Sequence, residues 1–222
     1  MIIIGLTGMI ASGKTTVSDM FTARSIPVHN ADQVVHRLLG AQGAAVAKIC
    51  AAFGNDIGDR ETGIDRGKLG VLVFADDKAR AQLEAILHPM VSDDRDQFLQ
   101  THRQAGAGCV VLDIPLLFET GGDEICDYVI VTNAPADVIK QRALSRAGMT
   151  AEKLAGILQN QMPAADKIAR ADIVLDTGLP IADTKSQLDA WLESLGLENL
   201  GLESLGIGKS GLDDQPDTSD KG

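Results

Sequence analysis

Aromatic residues are scarce in this sequence, with one Trp, one Tyr and five Phe among 222 residues. Positive charge is also in short supply: 20 Lys and Arg face 31 Asp and Glu, for a formal net charge of −11. A protein that follows a nucleic-acid backbone needs a basic surface and commonly aromatic rings on which bases stack. Nucleic acid is therefore set aside as a partner. Cysteine is sparse, and Cys50, Cys109 and Cys126 are too widely spaced for a metal-ligand pattern, so they read as reduced thiols in a cytoplasmic setting. No run approaches the roughly 18 apolar residues of a membrane span, and no basic segment precedes the N-terminal apolar run as in an export signal.

What is present begins at once. Residues 2–16, IIIGLTGMIASGKTT, pass from an apolar run into glycines and small polar residues and end in Lys-Thr-Thr. Gly8, Gly13, Lys14 and Thr15 fit G-x-x-x-x-G-K-[ST], a loop whose backbone N–H groups surround nucleotide phosphates while Lys reaches the β/γ oxygens and the hydroxyl holds Mg²⁺. Ala11, Ser12 and Thr16 complete the expected ATP contacts. The context is right for this motif, because Met1 to Leu6 reads as a buried parallel strand and Val17, Met20 and Phe21 continue at helical spacing.

Further apolar runs at 26–29, 109–114, 128–132 and 173–175 read as four more strands, with helical patterns at 135–146, 150–162 and 180–195. Between the second and third strands, residues 40–108 read as helices at 44–53, 65–74, 78–87 and 89–102, with no strand among them. Alternating strands and helices predict an α/β fold with a parallel five-stranded sheet between helical layers. Ligands then bind beyond the strand C-termini, which gathers Gly8, Asp32, Asp113 and the segment after Leu175 at one edge. From Leu192 the pentads LESLG, LENLG and LESLG precede a polar end, and residues 193–222 read as a weakly structured tail.

Phosphoryl transfer needs positioned phosphates, Mg²⁺, positive charge and a group that orients or deprotonates the acceptor. Asp113, at the end of an apolar strand, is either a magnesium ligand beside Thr15 or a turn-forming carboxylate before Pro115. Asp32 is either a catalytic base or the N-cap of the following helix. Arg142 and Arg146, four residues apart, share a helix face and either close over the phosphates or lie solvated. Arg66 and His88 fall in the helical insertion and could meet an anionic acceptor.

Taken in order, these residues resemble the dephospho-coenzyme A kinases. The resemblance spans about residues 3–192. It rests on GLTGMIASGKTT, Ile26-Pro27-Val28 with Ala31-Asp32, Arg66 with Leu69 and Phe74, Leu87-His88-Pro89, Pro115 to Glu119, Gln141-Arg142 with Arg146, Gln161, and Ala171-Asp172 with Gly178. It implies a P-loop kinase core (1–39 and 108–192), a helical acceptor subdomain (about 40–107) and a lid (about 142–165). It further implies an enzyme that uses ATP and Mg²⁺ to phosphorylate the ribose 3′-hydroxyl of dephospho-CoA; a monomer is the expected state, with an oligomer left open. By this likeness Asp32 becomes the base, Lys14 and Arg142 act on ATP, and Arg66, His88, Leu116 and Glu119 belong to the acceptor side. The sequence departs from the family pattern at Met9 and Ala11, where glycine is usual, at Asn30, where Asp is common, and at Asp176-Thr177, where an Asn-containing turn is usual. Rival readings are another small-molecule kinase and a nucleotide-gated switch. The N-K-x-D and D-x-x-G patterns of guanine-specific switches are absent.

Overall fold

The computed structural model describes residues 1–197. Five parallel strands form the central sheet: β1 (Ile2–Gly8), β2 (Val28–Asn30), β5 (Cys109–Asp113), β6 (Tyr128–Asn133) and β7 (Ile173–Asp176), in the order β2-β5-β1-β6-β7. The side-chain period of two explains why a strand buried on both faces is apolar throughout. Ile4 and Leu6 of β1 join Val111, Ile130 and Leu175 on one face, against Val17 and Phe21 of α1 (Lys14–Thr22) and Leu188 and Leu192 of α9 (Ile181–Ser194). Ile3 points the other way and packs with Val110, Leu112 and Leu99.

The helical insertion has a core of its own. Leu39 of α2 (Ala31–Leu39), Val46 and Ile49 of α3 (Val46–Phe53), Leu69 of α4 (Arg66–Ala75) and Leu87 of α5 (Asp77–Gln104) pack together. Two two-residue strands, β3 (Gly58–Asp59) and β4 (Gly63–Ile64), pair antiparallel inside it. The sequence pattern shows no strand here, because two residues are too few to show a period. It also predicts separate helices on either side of Pro89, whereas α5 runs through as one 28-residue helix. Proline removes one helical hydrogen bond, but Leu87 on one side is fixed in the insertion's core and Leu99 on the other is fixed against the sheet. Packing at both ends overrides the local break.

Beyond β6 come α6 (Ala136–Leu144), α7 (Ala151–Gln159) and α8 (Ala164–Ala169). The expected helix 150–162 ends earlier: Thr150 caps α7 by accepting from Lys153 N, and Pro163 precedes α8. The expected tail boundary at 193 falls inside α9, and Leu197 is buried in the main core beside Leu188 and Leu192. The first pentad and the leucine that opens the second therefore pack, while the rest of the pentads and the polar end, residues 198–222, lie outside the described residues. Among the described residues, no helix is long and apolar enough to cross a membrane.

Candidate active site

The phosphate loop joins β1 to α1 under strict steric limits. A Cβ on Gly8 would overlap Thr132 Oγ1 and Ser12 Oγ, and Gly13 has φ 89°, in the left-handed region that favours glycine. Ala11 also has positive φ, at 60°, a conformation costing a non-glycine residue roughly 1–2 kcal/mol. That strain is the local consequence of alanine at this position. Ser12 Oγ and Thr132 Oγ1 lie 2.6 Å apart, and Gln161 Oε1 accepts from Ile10 N at 3.1 Å. The positive end of α1 and the loop N–H groups favour an anion here.

Parallel register places the chemistry at the strand ends. Asp113 pairs in register with Leu6 of β1 and with Asn30 of β2, so its fully buried carboxylate lies between the loop and α2. Lys14 Nζ donates to Asp113 Oδ1, and Asn30 Nδ2 donates to Oδ2 at 2.7 Å. Burial pushes the Asp113 carboxyl above its ordinary range, against the attraction of Lys14, and the charge of Asp32 adds to the rise. Thr15 is exposed beside this pair and lines the nucleotide cavity. A threonine hydroxyl and a carboxylate are hard oxygen donors suited to Mg²⁺, which commonly takes its remaining ligands from substrate phosphates and water. The residues fit that ion.

Asp32 is not the helix cap. Asn30 is: its side chain accepts from Gln33 N at 2.9 Å, and α2 begins at Ala31. Asp32 therefore stands exposed in the first turn of α2, at the boundary of two cavities. The first, about 690 Å³, is lined by the phosphate loop, Lys14, Thr15, Thr16, Arg142, Arg146 and Thr177. The second, about 470 Å³, runs along α5 past His88, with Val35 and Ile114 also lining it. Asp32, Pro115 and Leu116 belong to both.

The family model for dephospho-CoA kinase matches residues 2–183 of a chain with this layout. The chain belongs to the dephospho-CoA kinase family. It is 47% identical over 195 residues to a dephospho-CoA kinase of Mesorhizobium japonicum, covering 88% of this chain and 97% of that one. A Thermus thermophilus structure titled TT1252 aligns with TM-score 0.73 and 31% identity over 87% of this chain and 97% of its own. A dephospho-CoA kinase from Campylobacter jejuni aligns with TM-score 0.66 and 25% identity over 89% of this chain and 98% of its own.

Not every residue suggested by the dephospho-CoA kinase likeness reaches a cavity. Arg142 does, and its Nη2 donates to Thr177 O at 2.9 Å. Arg66 lines neither cavity; its Nη1 lies 2.9 Å from His36 Nδ1. Glu119 also lines neither. It receives Lys167 Nζ at 2.9 Å and Met162 N at 2.7 Å, and the Lys167 side chain is completely buried. Lys167 Nζ also lies 3.3 Å from Pro115 O, a carbonyl that accepts from Thr7 Oγ1 at 2.9 Å as well. This cluster braces the segment that forms the wall between the cavities. Arg80 and Arg95 line the second cavity and were missed, although with His88 they recur at helical spacing along α5. Nothing local marks Lys167, since its partner is 48 residues away.

Proposed function

We propose that the chain transfers the γ-phosphoryl group of ATP to the ribose 3′-hydroxyl of dephospho-CoA, giving CoA and ADP. The observation that carries this reading is the meeting of two cavities at Asp32: a nucleotide site lined by a phosphate loop on one side, and a largely apolar groove along α5 on the other. A kinase needs this arrangement, because donor phosphate and acceptor hydroxyl must lie in line. The family membership and the 47% identical relative support the same acceptor.

The roles follow from placement. The loop N–H groups hold the phosphates, Lys14 shifts from Asp113 toward the β/γ oxygens, and Arg142 and Arg146 cover the nucleotide. The residues about 142–165 act as the lid, and the insertion about 40–107 supplies one side of the acceptor groove. Asp32 orients the 3′-hydroxyl and accepts its proton as the new O–P bond forms and the bond to the β-phosphate oxygen breaks, releasing ADP. Thr15 and Asp113 would hold Mg²⁺, Asp113 directly or through water; the ion supplies charge neutralisation on the β- and γ-phosphates. His88 and Leu116 contact the acceptor. A cytoplasmic setting suits three free thiols, of which burial pushes Cys109 and Cys126 up to about 12 and so suppresses their thiolates.

An acceptor panel tests this function. With ATP and Mg²⁺, rapid ADP formation is expected with dephospho-CoA and little with AMP, shikimate or pantothenate, none of which fills the α5 groove. Comparable turnover on AMP would replace the reading with that of a nucleotide kinase.

A further inference from the structure

Thr177 follows β7 in the turn where the sequence departs from the family pattern, and it is 6% exposed. Its backbone N donates to Asn133 O at 2.8 Å, fixing the turn to the end of β6. Its Oγ1 hydroxyl donates to Ser12 O in the phosphate loop, with Asn133 O as a second acceptor 2.8 Å away. Its own carbonyl accepts from Arg142 Nη2 at 2.9 Å. Thr177 Cβ also sits 2.9 Å from the point where a Gly13 side chain would begin, so Thr177 occupies the space left by that glycine.

One residue therefore touches both the phosphate loop and Arg142, which line the same cavity. Ser12 is held at two points, its hydroxyl by Thr132 and its carbonyl by Thr177. An anion-binding loop works only if its N–H groups face inward and its carbonyls face away. The Ser12 carbonyl is held in one orientation by its bond to Thr177. Arg142 is the cation that α6 projects toward the same cavity, and its guanidinium is docked on the Thr177 carbonyl.

We propose that Thr177 is a positioning residue of the nucleotide site: its hydroxyl fixes the orientation of the Ser12 carbonyl in the phosphate loop, and its carbonyl holds Arg142 toward the same cavity. This inference rests on the reading of the first cavity as the ATP site and is independent of the acceptor's identity. ATP affinity then depends on a hydroxyl carried by the loop between β7 and α9.

The test compares Thr177→Val, which keeps the shape and removes the hydroxyl, with Thr177→Ser, which keeps the hydroxyl. Thr177→Ala serves as a second hydroxyl-free form should valine impair folding. The dissociation constant of Mg-ATP is measured by calorimetry without acceptor, and KM for ATP and kcat are measured with dephospho-CoA. The valine and alanine variants should bind ATP about tenfold more weakly, the size expected for losing one hydrogen bond that orders a charged site. Their KM should rise in step, kcat should change less than about twofold, and serine should restore wild-type binding. Unchanged affinity in the hydroxyl-free variants, or serine as weak as valine, overturns the proposal. ATP binding by the wild type with no turnover on dephospho-CoA would overturn the acceptor reading and leave this one standing.

Discussion

Asn30 serves Asp113 and the start of α2 with opposite ends of one amide: Nδ2 donates to Asp113 Oδ2 at 2.7 Å while Oδ1 accepts from Gln33 N at 2.9 Å. An aspartate here would keep the cap but lose the donor, and would set a second carboxylate against a buried one. Asn30→Ala removes both bonds and should lower unfolding free energy by about 2 kcal/mol, half from the cap and half from the buried carboxylate's partner. Urea denaturation measures this. Wild-type stability in the alanine variant would show that neither bond matters.

Glu119 is a second case in which the contacts decide the role. Glu119→Ala strands the Lys167 ammonium, whose side chain is completely buried, leaving it, among the described residues, the Pro115 carbonyl as hydrogen-bond acceptor and the Phe118 ring. Removing one partner of a buried pair costs about 3 kcal/mol or more, so the variant should unfold at clearly lower denaturant. A variant with unchanged stability and a raised KM for dephospho-CoA would instead give Glu119 to the acceptor.

The two cases show where the sequence was readable. Gly8 and Gly13 carry their meaning locally, since the backbone there excludes a side chain, and the five apolar runs announce five strands. Asp32 was recognisable as a base or a cap; only the position of Asn30 in the fold separates the two. Glu119–Lys167 and Thr177–Ser12 join residues 48 and 165 apart, and no spacing rule connects them. Pro89 misled because long-range packing of Leu87 and Leu99 outweighs a local break.

His29 gives a pH dependence. Its side chain is buried with Nε2 3.0 Å from Asp94 Oδ1, and burial holds its pKa below the ordinary 6.5 despite that bond, with Arg37 and Arg95 adding to the lowering. A histidine lowered in this way contributes stability that is present above pH 6.5 and lost as pH falls toward its folded-state value, because the unfolded chain takes up the proton first. The wild type should therefore lose more stability between pH 7 and pH 5 than His29→Leu. Parallel pH profiles would contradict this.

Lys14 holds two roles that a double variant separates. Lys14→Ala should reduce kcat/KM by a factor on the order of 10² to 10³ and also destabilise the fold by about 3 kcal/mol, because the Asp113 carboxylate loses its cation. Adding Asp113→Asn should restore stability without restoring activity. Recovery of turnover in the double variant would remove Lys14 from phosphate binding.

The most direct test is the turnover of Asp32→Asn with ATP, Mg²⁺ and dephospho-CoA. Asn30 caps α2, so this substitution removes no cap and loses only a first-turn carboxylate's dipole interaction, about 0.3–1 kcal/mol; thermal stability should fall only slightly and ATP affinity should match the wild type. With the carboxylate at the cavity junction gone, kcat should fall on the order of 10²-fold or more, the usual scale of a general-base contribution. A kcat near that of the wild type would contradict phosphoryl transfer at Asp32.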